Sequence, residues 1–187
     1  MRLFGIIGYP LGHSFSRTYF TDKFERENIR ECAYENFPLS SITELPALLE
    51  SRPQLCGFNV TIPYKEKVLP YLDALTDDVR RIGACNCVKI EKGKKIGFNT
   101  DVIGFERSLL NHFPVLPEKA LILGTGGSAK AVSYVFRKLN IEHFFVTREE
   151  SRFHYCYADL NENAMKAFQV VVNTTPLGMY PDVNTCA

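Results

Sequence analysis

Short apolar runs of strand length alternate with amphipathic stretches of helix length along the first half of the chain. Residues 3–8 form an apolar strand that ends in glycine. Across residues 16–28, Tyr19, Phe20 and Phe24 recur at helical spacing among charged residues, which predicts an amphipathic helix. Residues 31–37 follow as a strand. Residues 42–50 follow as a helix with Pro46 in its first turn, where the missing N–H costs no ladder bond. Residues 55–62 make a third strand, stopped by Pro63. Residues 88–90 and 95–98 flank Glu91-Lys-Gly-Lys94 and predict a hairpin.

The pattern then restarts. Residues 101–111 predict a helix with Asp101 as its N-cap, and Pro114 and Pro117 interrupt the chain after it. A boundary along this helix divides the chain into 1–101 and 102–187. Beyond it come a buried strand at 120–123, a helix at 126–139, a strand at 143–147 and another at 169–172. This strand–helix–strand order implies a parallel sheet covered by helices, so the fold class is α/β with two domains. About four strands are expected after residue 118, fewer than a full dinucleotide-binding sheet of about six. The second domain is therefore expected to be Rossmann-like and incomplete.

Composition adds exclusions. The 187 residues suffice for one ordinary domain or two small ones, and 45% hydrophobic with 23% charged residues is ordinary for a globular chain. Lys and Arg total 22 against 21 acids, with no concentrated basic face, so nucleic acid is not an expected partner. No apolar run has the roughly 20 residues of a membrane span. The start MRLFGIIGYP lacks the parts of a signal peptide, so a cytoplasmic protein is expected. Six cysteines at 32, 56, 85, 87, 156 and 186 have no metal-ligand spacing. Buried free thiols and no metal are expected.

Two regions carry chemistry. Gly124-Thr-Gly126-Gly127-Ser128-Ala129 follows a strand and opens a helix. Gly124 allows a tight turn, Gly126 and Gly127 let backbone approach a pyrophosphate, and the helix N-terminus holds the anion. The next strand ends at Thr147-Arg148, and an arginine there suits a 2′-phosphate, with Arg152 as a helper. Glu149 and Glu150 leave open a ribose hydroxyl partner or a solvated charged loop.

In the first half, Ser14-Phe-Ser16 offers two hydroxyls at a helix start, where Ser16 is also a plausible cap. Asn59-Val-Thr61-Ile-Pro-Tyr-Lys65 places Asn59 and Thr61 on one strand face and Lys65 near the start of a short helix. Asn86 in Gly-Ala-Cys-Asn and Asp101 in Asn-Thr-Asp-Val-Ile-Gly add an amide and a carboxylate. Donors for a carboxylate and mixed partners for hydroxyls suit a small polyhydroxylated carboxylic acid.

GYPLGHSFS, FNVTIPYK, GACN, NTDVIGF, GTGGSAKA and NTTPLGM occur in this order. The chain resembles the shikimate dehydrogenase family from residue 5 to about residue 182. The resemblance implies an N-terminal α/β substrate domain, a Rossmann-like NADP-binding domain and an active site in the cleft between them. It implies NADP-dependent, reversible reduction of 3-dehydroshikimate to shikimate by a monomer or homodimer with no metal and no membrane. Ser14 and Ser16 match the carboxylate-binding pair, and Thr61, Asn86 and Asp101 match partners of the ring hydroxyls, with Asn59 beside them. Lys65 and Asp101 match the catalytic pair. Gly124, Gly126, Gly127, Ser128 and Ala129 match the phosphate loop, Arg148 the 2′-phosphate arginine, and Asn173, Thr174 and Met179 the nicotinamide side.

Cys87 stands where the family has threonine, and Thr147-Arg148-Glu149 replaces Asn-Arg-Thr. Family members continue past residue 187, and a pocket tyrosine and glutamine lie in that further segment. Alternatives are a quinate/shikimate dehydrogenase using NAD and an inactive binding fragment. A methylenetetrahydrofolate dehydrogenase is disfavoured by the serine pair and NTDVIGF.

Overall fold

The computed structural model describes residues 1–12, 15–148, 154–179 and 183–186. Its chain contacts separate into two units, Met1–Asn99 and Thr100–Ala187.

In the first unit, β1 (Arg2–Gly8) lies between β2 (Cys32–Pro38) and β3 (Leu55–Val60) and runs parallel to both. A parallel strand covered on two faces needs apolar residues on both, which accounts for the unbroken LFGII run. On one face Ile6, Leu11 and Tyr34 are covered by Phe20 and Phe24 of α1 (Phe15–Arg26). On the other, Leu3, Ile7, Phe58 and Val60 join the main core with Leu45 of α2 (Leu45–Ser51) and with Tyr64 and Val68. Pro46 lies in the first turn of α2, as its missing N–H requires.

Beyond β3 the sheet becomes mixed. The short β4 (Ala74–Leu75) and helix α3 (Asp77–Ile82) lead to a hairpin of β5 (Cys87–Glu91) and β6 (Lys94–Phe98). β5 pairs antiparallel with β3, and β4 pairs with β6, giving the order β2-β1-β3-β5-β6-β4.

The second unit opens with α4 (Asp101–His112), followed by β7 (Lys119–Leu123), α5 (Gly127–Lys138) and β8 (Glu142–Thr147). β9 (Tyr155–Cys156), α6 (Glu162–Lys166) and β10 (Val170–Asn173) come next among the described residues. The four strands are parallel in the order β10-β7-β8-β9. α5 buries Ala129, Val132, Val135 and Phe136, and Phe105 of α4 meets Phe136 edge-on at 5.5 Å. Ser133, buried on α5, bonds His143 Nε2 at 2.8 Å, while His143 Nδ1 lies 3.0 Å from the Ile141 carbonyl. A proton on Nδ1 serves the Ile141 carbonyl, which can only accept.

Several sequence expectations change. Asp101 is not the cap of α4 but its first residue; Thr100 holds the cap position and makes no side-chain capping bond. Lys65 lies in turns rather than at a helix start, because Pro63 and Pro70 divide this stretch too finely. All six cysteines are free, yet only Cys85 is fully buried and Cys186 is exposed. β4, α3, β9 and α6 were not expected: each is too short to show a period.

Candidate active site

Strand direction explains how the polar groups of the first unit gather. β5 runs opposite to β3, so the end of β3 lies beside the beginning of β5. The end of β6 lies there too, since Cys87 pairs with both Asn59 and Phe98. Thr61, Asn86 and Asn99 thus share the sheet edge at which β1 hands over to α1. A Cβ at Gly8 would collide with Thr61 Cγ2 and come within 3.0 Å of the Ile62 carbonyl oxygen, so glycine is needed where these two strand ends meet. Ser14 lies outside the described residues. Ser16 stands in the first turn of α1, inside the helix rather than capping it.

Lys65 is half-buried and held from both sides. The preceding Tyr64 is 3% exposed and donates its hydroxyl to the Leu39 carbonyl at 2.6 Å. The Lys65 carbonyl itself accepts from Cys85 N–H at 2.7 Å. Cys85 leads into Asn86, whose N–H bonds the Phe98 carbonyl and whose carbonyl accepts from Val60 N–H at 2.8 Å. Asn99 Nδ2 donates to the Ala84 carbonyl at 3.0 Å. The lysine turn and the two buried amides are therefore tied into one backbone framework.

Asn59 is bound on two sides. Its Oδ1 accepts from the Tyr34 hydroxyl at 2.8 Å, and its Nδ2 donates to the Asn86 carbonyl at 3.4 Å. Burial pushes the Tyr34 phenol up from its ordinary range, opposed by a hydrogen bond from Ser16, with nearby Cys87 adding a smaller rise. Burial also pushes the Cys85 thiol up to about 11 and raises the Cys87 thiol. This wall of the edge is thus lined by neutral groups.

In the second unit the strand order reverses between β7 and β10, since the chain moves outward from β7 to β9 and then returns to the opposite side. Ligands of open α/β sheets bind at such a switch point, at the carboxyl ends of the strands. Gly124 stands there with φ +97°, a left-handed conformation that favours glycine. α5 begins at Gly127 with Gly126 as its N-cap, and no side chain caps it. Ser128 and Ala129 follow in the first turn of α5.

The end of β10 is fastened to the same loop. Thr174 N–H and Oγ1 both donate to the Leu123 carbonyl, at 3.0 and 2.6 Å. Asn173 Oδ1 accepts from Thr175 N–H and Oγ1 at 2.9 and 2.7 Å, and Asn173 Nδ2 donates to the Leu177 carbonyl at 3.1 Å. These two side chains build the turn, whereas Met179 is 55% exposed beyond it. Arg148 is exposed at the end of β8, and its carbonyl accepts from Cys156 Sγ at 3.7 Å. Glu149, Glu150 and Arg152 lie outside the described residues. Asp101 opens α4 in this unit. No group of three or more His, Cys, Asp and Glu side chains that would hold a metal occurs among the described residues.

The family model for the shikimate dehydrogenase substrate binding domain matches residues 6–88. A shikimate dehydrogenase (NADP(+)) from Methanococcus vannielii is 36% identical over 204 residues, covering 98% of this chain and 71% of that protein. The chain belongs to the shikimate dehydrogenase family. A shikimate 5-dehydrogenase from Thermus thermophilus, solved in complex with NADP(H) and shikimate, is similar with a TM-score of 0.84 and 30% identity; the match covers 100% of this chain and 72% of that one. A quinate dehydrogenase from Corynebacterium glutamicum in complex with NAD is similar with a TM-score of 0.81 and 28% identity, covering 96% and 72%. Ser16, Asn59, Thr61, Lys65 and Asn86 all fall in the matched substrate binding domain. The sequence did not single out Tyr34 or Asn99. Tyr34 shows only as one aromatic in a strand, and Asn99 as a neighbour of the more conspicuous Asp101.

Proposed function

We propose that this chain is an NADP-dependent shikimate dehydrogenase that interconverts 3-dehydroshikimate and shikimate in the formation of aromatic amino acids. The observation that carries the proposal is the polar edge of the first sheet, where one backbone framework holds a half-buried lysine beside amides and hydroxyls. Ser14 and Ser16 take the substrate carboxylate, and Asn59, Thr61 and Asn86 take its ring hydroxyls. A compact polyol acid needs this mixture of donors and acceptors.

The second unit suits a dinucleotide. Its uncapped helix N-terminus and left-handed Gly124 fit a pyrophosphate held by Gly124, Gly126, Gly127, Ser128 and Ala129. Arg148 meets the 2′-phosphate, and Asn173, Thr174 and Met179 shape the nicotinamide side. When bound, NADPH supplies the hydride. Lys65, as an ammonium, gives its proton to the ketone oxygen as this becomes a hydroxyl, and neutral Lys65 takes it back in the reverse direction. Asp101 is the second member of the catalytic pair.

General acid–base assistance is worth about 10²–10⁴ in rate. Lys65→Ala is expected to lower kcat by that factor, measured as NADP⁺ reduction by shikimate, and to change the shikimate KM less. Near wild-type turnover would remove Lys65 from the mechanism. Quinate with NAD⁺, assayed on the same sample, tests the alternative that the related quinate dehydrogenase raises: faster turnover with that pair would reassign the substrate. Among the described residues no helix is long and apolar enough to cross a membrane, and the cysteines are free.

A further inference from the structure

Tyr34 is 6% exposed, and its ring stacks on Phe20 of α1 at 4.6 Å and 16°. From β2 the side chain crosses β1 to reach β3, where its hydroxyl donates to Asn59 Oδ1 at 2.8 Å. A phenol has one proton, and a carbonyl oxygen can only accept. The proton is therefore committed to Asn59.

This fixes the Asn59 amide. Turned over, it would set Oδ1 against the Asn86 carbonyl, two acceptors facing each other where Nδ2 now donates at 3.4 Å. Held as it is, Asn59 offers its remaining Nδ2 hydrogen to a ligand.

We infer that Tyr34 is a positioning residue for the substrate: without touching it, the phenol orients the Asn59 amide to receive the polyol acid. The inference rests on the proposed dehydrogenase activity. Burial keeps the phenol protonated, so the donor persists through the neutral range.

The test uses the whole chain and Tyr34→Phe, which keeps the ring and its stacking. Loss of one orienting hydrogen bond is expected to raise the shikimate KM about 3- to 10-fold. The NADP⁺ KM and kcat are expected to stay within about twofold, and a purely structural role would not produce that split. A double-mutant cycle with Asn59→Ala gives the decisive readout. If Tyr34 acts through Asn59, Tyr34→Phe adds little in the Asn59→Ala background. An unchanged shikimate KM, or fully additive effects, overturns the inference while leaving the activity in place. A wild-type chain that does not reduce NADP⁺ with shikimate overturns both. Should Tyr34→Phe not fold, Asn59→Asp keeps the acceptor for Tyr34 but removes the N–H edge. An unchanged shikimate KM in that variant also overturns the inference.

Discussion

Tyr64→Phe isolates one hydrogen bond on which the lysine turn depends. The Tyr64 side chain is 3% exposed, and its hydroxyl lies 2.6 Å from the carbonyl of Leu39, itself 5% exposed. Phenylalanine keeps the ring in the core and deletes only the donor. The Leu39 carbonyl is then buried without that partner, at a cost of about 1–3 kcal/mol. For a unit the size of Met1–Asn99, each kcal/mol lowers Tm by about 4–8 °C, so a fall of roughly 8–16 °C corresponds to the middle of the range. Urea unfolding followed by tyrosine fluorescence should show a lower midpoint with an unchanged slope. Tyr19, 44% exposed on α1, supplies the control: Tyr19→Phe should stay within about 0.5 kcal/mol of wild type. Because Tyr64 adjoins Lys65, whose carbonyl is held by Cys85, kcat for shikimate oxidation should also fall modestly. A Tyr64→Phe midpoint equal to that of wild type would refute the argument, since it would mean that water or a shifted backbone satisfies Leu39 without cost.

Gly124→Ala must place a Cβ 3.1 Å from Thr175 Cγ2 and 3.2 Å from Thr174 Oγ1, on a backbone with φ +97°. The expected strain is about 1–3 kcal/mol, with a raised NADP⁺ KM and little change in the shikimate KM; equal effects on both would show general disruption instead. Alkaline pH should destabilise the first unit. The folded chain holds the Tyr34, Cys85 and Cys87 protons more tightly than the unfolded chain does, because burial disfavours the anions. The folded state therefore binds more protons, and the contribution of these groups is constant below the ordinary thiol value of 9.0 and falls as pH rises toward about 11. Urea midpoints across that interval check it, and a pH-independent midpoint would refute it.

Much of this architecture was legible because it is written locally. β1, β3 and β7 are apolar runs whose two covered faces leave no ambiguity, and α5 carries its own glycine start and apolar stripe. β4 and β9 have two residues each and exist only because β6 and β8 offer a partner. No window of sequence contains that partner. Asp101 against Thr100 as the cap is a one-residue difference of the kind that helix ends routinely show.

The candidate site divides along the same line. Its residue types were visible as motifs, but their use depends on register. Tyr34 meets Asn59 across 25 residues of sequence, and a slip of one residue in β2 would turn the phenol to the opposite face of the sheet. The NTTP segment makes the complementary point. Asn173 and Thr174 present the amide and hydroxyl expected of cofactor ligands, yet their side chains are engaged by Thr175, Leu177 and Leu123. A short polar residue at a strand end satisfies backbone groups that the sheet leaves unpaired before it serves any ligand. In this loop that first task also sets the distance between β10 and Gly124, because the Leu123 carbonyl receives both Thr174 donors one residue before the glycine turn. The polar character of NTTP therefore acts on the glycine loop through the backbone, and substitutions there should alter NADP⁺ affinity even where no side chain reaches the cofactor.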